Sequence, residues 1–130
     1  MKLLVIASVG GAIGAGLRFL VNQAFAARGL AVSFPWHTFA VNVIGSFLMG
    51  VVYVVINERL GGSPEWRTFL ATGILGGLTT FSAFSLDVMN LMADGNGLSL
   101  RAGAYIAGSV VISIAALFAG VSITRMGLGT

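Results

Sequence analysis

Four apolar stretches, about 3-26, 36-56, 66-92 and 100-124, occupy nearly the whole of this 130-residue chain. Each reaches the roughly 20 residues that a helix needs to cross the hydrocarbon layer of a bilayer. What remains between them is too short to build a soluble domain. Only 8% of the residues are charged, whereas soluble domains average about 25%, and the mean hydropathy is +0.99. The fold class this dictates is an all-α membrane protein of four transmembrane helices forming one domain, 1-130.

The amino terminus has the outline of a secretory leader, with Lys2 ahead of an apolar run and small residues from Gly10 to Gly16. The run continues through Phe19 to Ala26 and three more follow, so it is read as the first span. The chain has no cysteine and hence no thiolate metal site. Its net charge of +3 comes from scattered basic residues, which argues against a nucleic-acid partner.

The third stretch contains Gly73-Ile74-Leu75-Gly76-Gly77-Leu78-Thr79-Thr80-Phe81-Ser82-Ala83-Phe84. Adjacent glycines and adjacent β-branched threonines weaken a continuous helix there. Backbone groups freed at membrane depth must be received by protein, an ion or a watery cavity. A broken third helix, and a functional site at the break, is therefore expected.

Orientation is weakly instructed. With four spans, Lys2, Arg59, Arg67 and Arg125 fall on one side and Arg18, Arg28 and Arg101 on the other. Since topology follows the Lys and Arg excess of short loops, four against three predicts insertion in both orientations. A single orientation fixed by the weak bias and the terminal amine is the plainer alternative. Close-packing pairs such as Gly10 with Gly14, Gly11 with Ala15, and nearby Gly45 and Gly50 allow tight helix contacts. Four helices close on their own side chains, so an oligomer is the expected working unit.

The polar residues inside the spans are mostly neutral. Thr38, Asn42 and Ser46 recur every four residues on the second span, as do Tyr105, Ser109 and Ser113 on the fourth. Thr79, Thr80, Ser82 and Ser85 lie at and after the expected break, with Phe81 and Phe84 on one helical face. Glu58 and Glu65 fall in one loop, Asp94 in the next, and Asp87 in the outer part of the third span. No carboxylate lies at a span centre, which argues against proton- or cation-coupled antiport. Hydroxyl and amide donors, with the electropositive edges of aromatic rings, suit a small anion. His37 has no cluster of partners, and the glycine patterns lack the Lys or acidic residues of nucleotide loops.

Each residue also has a plainer reading. Asn42 could bond across to another helix; Ser109 and Ser113 could bond their own helix backbone; Phe81 and Phe84 could be ordinary core. Arg18 could snorkel from near the second end of its span, and Asp87 could be interfacial or pair with a basic residue.

Three patterns, in order along the chain, resemble a known family. They are Gly10-Gly11-x-x-Gly14-Ala15-x-x-Arg18, then Thr38-x-x-x-Asn42 with Gly45 and Gly50, then Gly76-Gly77-Leu78-Thr79-Thr80-Phe81-Ser82-x-Phe84. The chain resembles the small bacterial fluoride channels called Fluc, or CrcB. The resemblance implies a passive fluoride-specific exporter in the bacterial plasma membrane, relieving cytoplasmic fluoride toxicity, with fluoride and membrane lipid as its partners. It implies an antiparallel dual-topology homodimer with two pores. By resemblance, Asn42 donates to fluoride and Phe81 and Phe84 turn ring edges to it. Tyr105, Ser109 and Ser113 form a hydroxyl track, with Thr38 a further lining residue. Main-chain carbonyls of Gly76 and Thr79 from both subunits would hold a structural Na+, and Arg18 matches a first-span arginine. Ala83 stands where a threonine is frequent, and Asp87 where some members have glutamate.

No covalent chemistry is expected, so the chain is not read as an enzyme. Two other readings are a dual-topology exporter of cationic drugs and a non-transporting membrane scaffold. The first would be expected to carry a membrane-embedded glutamate in the first span, and none lies between Leu3 and Ala26. The second needs no polar break aligned with two hydroxyl stripes.

Overall fold

The computed structural model describes residues 1-30, 34-93 and 99-129. Asp94, expected in the loop after the third span, lies outside the described residues. Every regular element among the described residues is helical. Helix α1 runs Lys2–Ala27, α2 Trp36–Glu58 and α6 Leu100–Leu128. Between α2 and α6 lies a composite third rod, made of α3 (Pro64–Trp66), a π-helical segment (Arg67–Leu75), α4 (Gly76–Leu78) and α5 (Phe81–Ala93). Four rods, Lys2–Ala27, Trp36–Glu58, Pro64–Ala93 and Leu100–Leu128, are long and apolar enough to cross a membrane. Their ends differ from the apolar windows because capping, not hydropathy, sets them. The third rod starts at Pro64, with Ser63 Oγ accepting from the Trp66 N–H at 3.4 Å, so Glu65 belongs to a first helical turn and not to a loop. The fourth runs on to a left-handed Gly129 at φ 73°, past the expected end at 124.

Large apolar side chains such as Leu4, Phe19, Val111 and Phe118 point outward along these rods. In water that surface would be untenable, and in lipid it is the outer face. Inside, the rods are joined by backbone approaching backbone. A Cβ on Gly50 would strike the Leu117 carbonyl, and one on Gly120 the Phe47 carbonyl, which locks α2 to α6. A Cβ on Gly10 would come within 2.7 Å of the Phe69 carbonyl oxygen, and one on Gly77 within 2.6 Å of the Gly11 carbonyl oxygen. These contacts seat α1 on the third rod. Without a hydrophobic drive between helices in lipid, such close packing carries the association.

At one end the rods are tied by polar pairs: Lys2 with Glu65 at 3.1 Å, Arg67 donating to Asn57 Oδ1 at 3.1 Å, and Arg125 with Glu58 at 3.1 Å. The ends of all four rods that alternation assigns to one side therefore meet there.

The glycines of the third rod behave differently from expectation. Gly73, Gly76 and Gly77 all lie inside helical segments. Gly73 and Gly77 are spent on close contact with α1, where Gly10 and Gly11 face them. Helical conformation ends only after Leu78, where Thr79 is extended at φ −77° and ψ 154°, and resumes at Phe81.

Candidate functional site

The chemistry of the chain converges on Thr79 and Thr80. Thr79 keeps its N–H on the Leu75 carbonyl at 2.9 Å and donates its hydroxyl to the same oxygen at 2.8 Å. Its methyl group occupies the space left by the absent side chain of Gly45 on α2. Thr80 is buried, and its main chain is met by a side chain from α2. Asn42 Nδ2 donates to the Thr80 carbonyl at 3.2 Å, and the Thr80 N–H donates to Asn42 Oδ1 at 2.9 Å. Thr80 Oγ1 then caps α5, accepting from the Ala83 N–H at 3.1 Å and sharing a hydrogen bond with Ser82 Oγ at 3.1 Å.

Two main-chain acceptors are affected by these bonds. In an uninterrupted helix the Thr80 N–H would serve the Gly76 carbonyl and the Ala83 N–H would serve the Thr79 carbonyl. Both donors are turned to side chains instead, one to Asn42 and the other to Thr80. No group of three or more His, Asp or Glu able to hold a metal occurs among the described residues. Gly76 and Thr79 thus carry main-chain oxygens whose usual helical donors are engaged elsewhere.

Beside Thr80 a groove of about 280 Å³ opens outward between α2, α5 and α6. Asn42 and Ser46 line it from α2, Phe81 and Phe84 from α5, and Ser109 and Ser113 from α6. The Phe81 and Phe84 ring centroids are 5.3 Å apart. Phe84 is 8% exposed and packs on Tyr105, whereas Phe81 is 76% exposed. The buried hydroxyl oxygen of Ser113 has no hydrogen-bond partner, not even in its own helix backbone, and that of Ser109 has only the Tyr105 hydroxyl beside it. A buried, unpaired hydroxyl costs free energy of about 1 to 3 kcal/mol, so its persistence beside a groove marks a place where a ligand or water completes the bond.

The expected residues are thus divided. Asn42, Phe81, Phe84, Ser109 and Ser113 share the groove, and Thr79 lines it too. Thr38 and Tyr105 are buried away from its wall, at 2% and 0% exposure. The Tyr105 hydroxyl donates to Asp87 Oδ2 at 3.1 Å, so Asp87 is partnered by a phenol and not by a basic residue. Arg18 on α1 is not part of the groove wall. Asn42 does bond across to another helix, through both its Nδ2 and its Oδ1, and it lines the groove as well. Sequence reasoning gave Thr80 no role of its own. A threonine three residues ahead of Ala83 at a helix start is the capping signal that could have revealed it.

Four apolar rods, with an outward-opening groove of neutral polar groups and aromatic rings between three of them, define a multi-pass α-helical membrane protein. Residues 5–121 match the family described as CrcB-like protein, Camphor Resistance (CrcB), and the chain belongs to that family. It is 48% identical over 121 residues to a protein of Rhizobium etli named fluoride-specific ion channel FluC, covering 93% of this chain and 94% of that one. A protein of the same name from Agrobacterium fabrum is 48% identical over 122 residues, covering 94% and 95% of the two chains. Another, from Hahella chejuensis, is 43% identical over 123 residues, covering 95% and 94%.

Proposed function

We propose that this protein is a fluoride-specific ion channel, passing fluoride down its electrochemical gradient out of a bacterial cell and so limiting fluoride toxicity. The observation that carries the reading is the groove in which the Asn42 amide, the Phe81 and Phe84 rings and the hydroxyls of Ser109 and Ser113 converge. Fluoride is the smallest halide and the strongest hydrogen-bond acceptor among them, so replacing its water shell takes several close donors at fixed positions. Neutral donors do this without trapping the ion as a fixed cation would. No bond is made or broken, and the protein is not an enzyme.

The working unit in this reading is an antiparallel homodimer inserted in both orientations, with one transmembrane domain, 1-130, per subunit and two pores per dimer. The open side of the groove and the exposure of Phe81 support it, since a second copy would close the one and cover the other. The helical step at Thr79 and Thr80 is the functional break of the third helix. A structural Na+ bound by the carbonyls of Gly76 and Thr79 from both subunits would tie the two breaks together, and the diversion of their usual donors favours that assignment. Tyr105 and Thr38 act behind the groove wall, holding Phe84 and α6 in place, and Arg18 lies outside it.

Fluoride efflux from proteoliposomes, followed with a fluoride electrode and a chloride control, tests the reading. Fast fluoride loss without chloride loss is expected. Silence toward both ions from folded, dimeric protein would favour a scaffold. Single cysteines placed in the loops should react with an impermeant reagent from both sides of the membrane, and labelling from one side only would remove dual insertion.

A further inference from the structure

The half-helix that bears the ring pair is thinly held. Glycines join backbone to backbone between α1 and the first half of the third rod, and between α2 and α6. Helix α5 contains no glycine, and Phe84 is its single buried residue. Its start is fixed by the Thr80 cap and by the bonds between Asn42 and Thr80. Beyond that start one residue of α6, Tyr105, receives it twice. The Tyr105 ring packs on that of Phe84 with centroids 5.3 Å apart, and the Tyr105 hydroxyl donates to Asp87 Oδ2 at 3.1 Å. Phe84 and Asp87 are three residues apart and so share a helix face. Where Tyr105 stands therefore decides where the Phe84 ring stands.

Tyr105 is fully buried, and a second ring meets it from the connection between α1 and α2. Phe34 stands perpendicular to it, at 87° with centroids 5.3 Å apart, one of the arrangements that aromatic quadrupoles prefer. Phe34 lies in no helix, yet its place is built. Its carbonyl accepts from the Trp36 N–H at 2.8 Å across Pro35, whose φ of −78° and ψ of 61° make an inverse γ-turn. Pro35 also restricts the backbone of the residue before it, and the Trp36 ring lies 4.5 Å from that of Phe34. The rings of Trp36, Phe34, Tyr105, Phe84 and Phe81 thus form one continuous run from the start of α2 to the groove.

We propose that Phe34 is a positioning residue for the ion path: it backs Tyr105, Tyr105 backs Phe84, and this run fixes the ring that the groove receives. The inference rests on the fluoride-conducting reading. Phe34 is not part of the groove wall, so it acts through Tyr105 and not on the ion. The bond to Asp87 holds the phenol only at its tip, about which the ring can pivot. Contact with Phe34 removes that freedom.

The test has two readouts on the intact protein in liposomes. One is single-channel fluoride current. The other is the fluorine NMR resonance of a 4-fluorophenylalanine installed at position 84, recorded without fluoride ion. Phe34→Leu keeps apolar bulk and removes the ring. It is expected to lower the current about threefold and to shift or broaden the resonance, with the fraction of folded dimer unchanged. Phe34→Tyr, which keeps the ring, should hold both near wild type. An unchanged current in Phe34→Leu, or a lowered current with the resonance unmoved, would overturn the inference. So would a loss that Phe34→Tyr shares, or one that follows the loss of folded protein. Absence of current in the wild type would instead overturn the fluoride-conducting reading, and the resonance alone would then report whether Phe34 positions Phe84.

Discussion

The side-chain amide of Asn42 forms a two-bond ring with the main chain of Thr80, its Nδ2 donating at 3.2 Å and its Oδ1 accepting at 2.9 Å. A single residue thereby holds the helix step and lines the groove. The oxygen is committed to the Thr80 N–H, so the orientation of the amide is set and its second hydrogen points away from that bond.

Asn42→Asp should damage both roles. The carboxylate can still accept from the Thr80 N–H but has no hydrogen for the Thr80 carbonyl, and it sets a negative charge in the path of an anion. Fluoride flux is expected to fall by at least about tenfold, since one like charge at low dielectric costs more than about 1.4 kcal/mol. Undiminished flux in liposomes would remove Asn42 from the path.

Ser109→Ala and Ser113→Ala separate function from stability. Ser113 Oγ has no partner in the chain and Ser109 Oγ has only the Tyr105 hydroxyl, which keeps its bond to Asp87, so little internal hydrogen bonding is lost. Thermal stability should stay within about 0.5 kcal/mol of wild type, while fluoride flux falls severalfold in each variant and further in the double variant. Loss of stability with flux intact would return these serines to a structural role.

Phe81→Ile keeps the apolar bulk and removes the ring edge. Because Phe81 is 76% exposed on the subunit, the fold of the chain should be unaffected. Fluoride current should drop sharply, and unchanged current with intact dimers would count against the ring contact.

The glycine contacts predict a contrast. At Gly77 an added methyl would lie 2.6 Å from the Gly11 carbonyl oxygen, and both are backbone-anchored, so Gly77→Ala should destabilise by about 1 to 3 kcal/mol. At Gly103 a methyl meets nothing within 4 Å. Gly103→Ala should be neutral or stabilising by up to about 1 kcal/mol. Unfolding of the two variants in detergent, side by side, measures the difference.

Much of the architecture was legible in hydropathy, because a bilayer demands long apolar runs and leaves few other ways to use 130 residues. The hydroxyl stripes were legible for a similar reason: a repeat of four residues must share one helix face, and Asn42 with Ser46, and Ser109 with Ser113, do line one groove. Tyr105 and Thr38 share those stripes yet sit behind the wall, because helical periodicity gives direction around an axis and not depth. The glycines of the third rod were misleading. Glycine weakens a helix in isolation, but Gly73 and Gly77 lie where another backbone presses in, and that contact outweighs their poor propensity. The cap that Thr80 gives α5 has a local signal in a threonine at a helix start, but its pairing with Asn42, 38 residues earlier in the chain, has none.

The most direct test of the account is the reversal potential of the purified protein in a planar bilayer, under a tenfold fluoride gradient with chloride equal on both sides. A fluoride-specific path predicts reversal near the fluoride equilibrium value, about 59 mV for a singly charged ion. It also predicts that the value will not move when chloride is then made unequal. Reversal near zero, or a reversal that follows chloride, would contradict it.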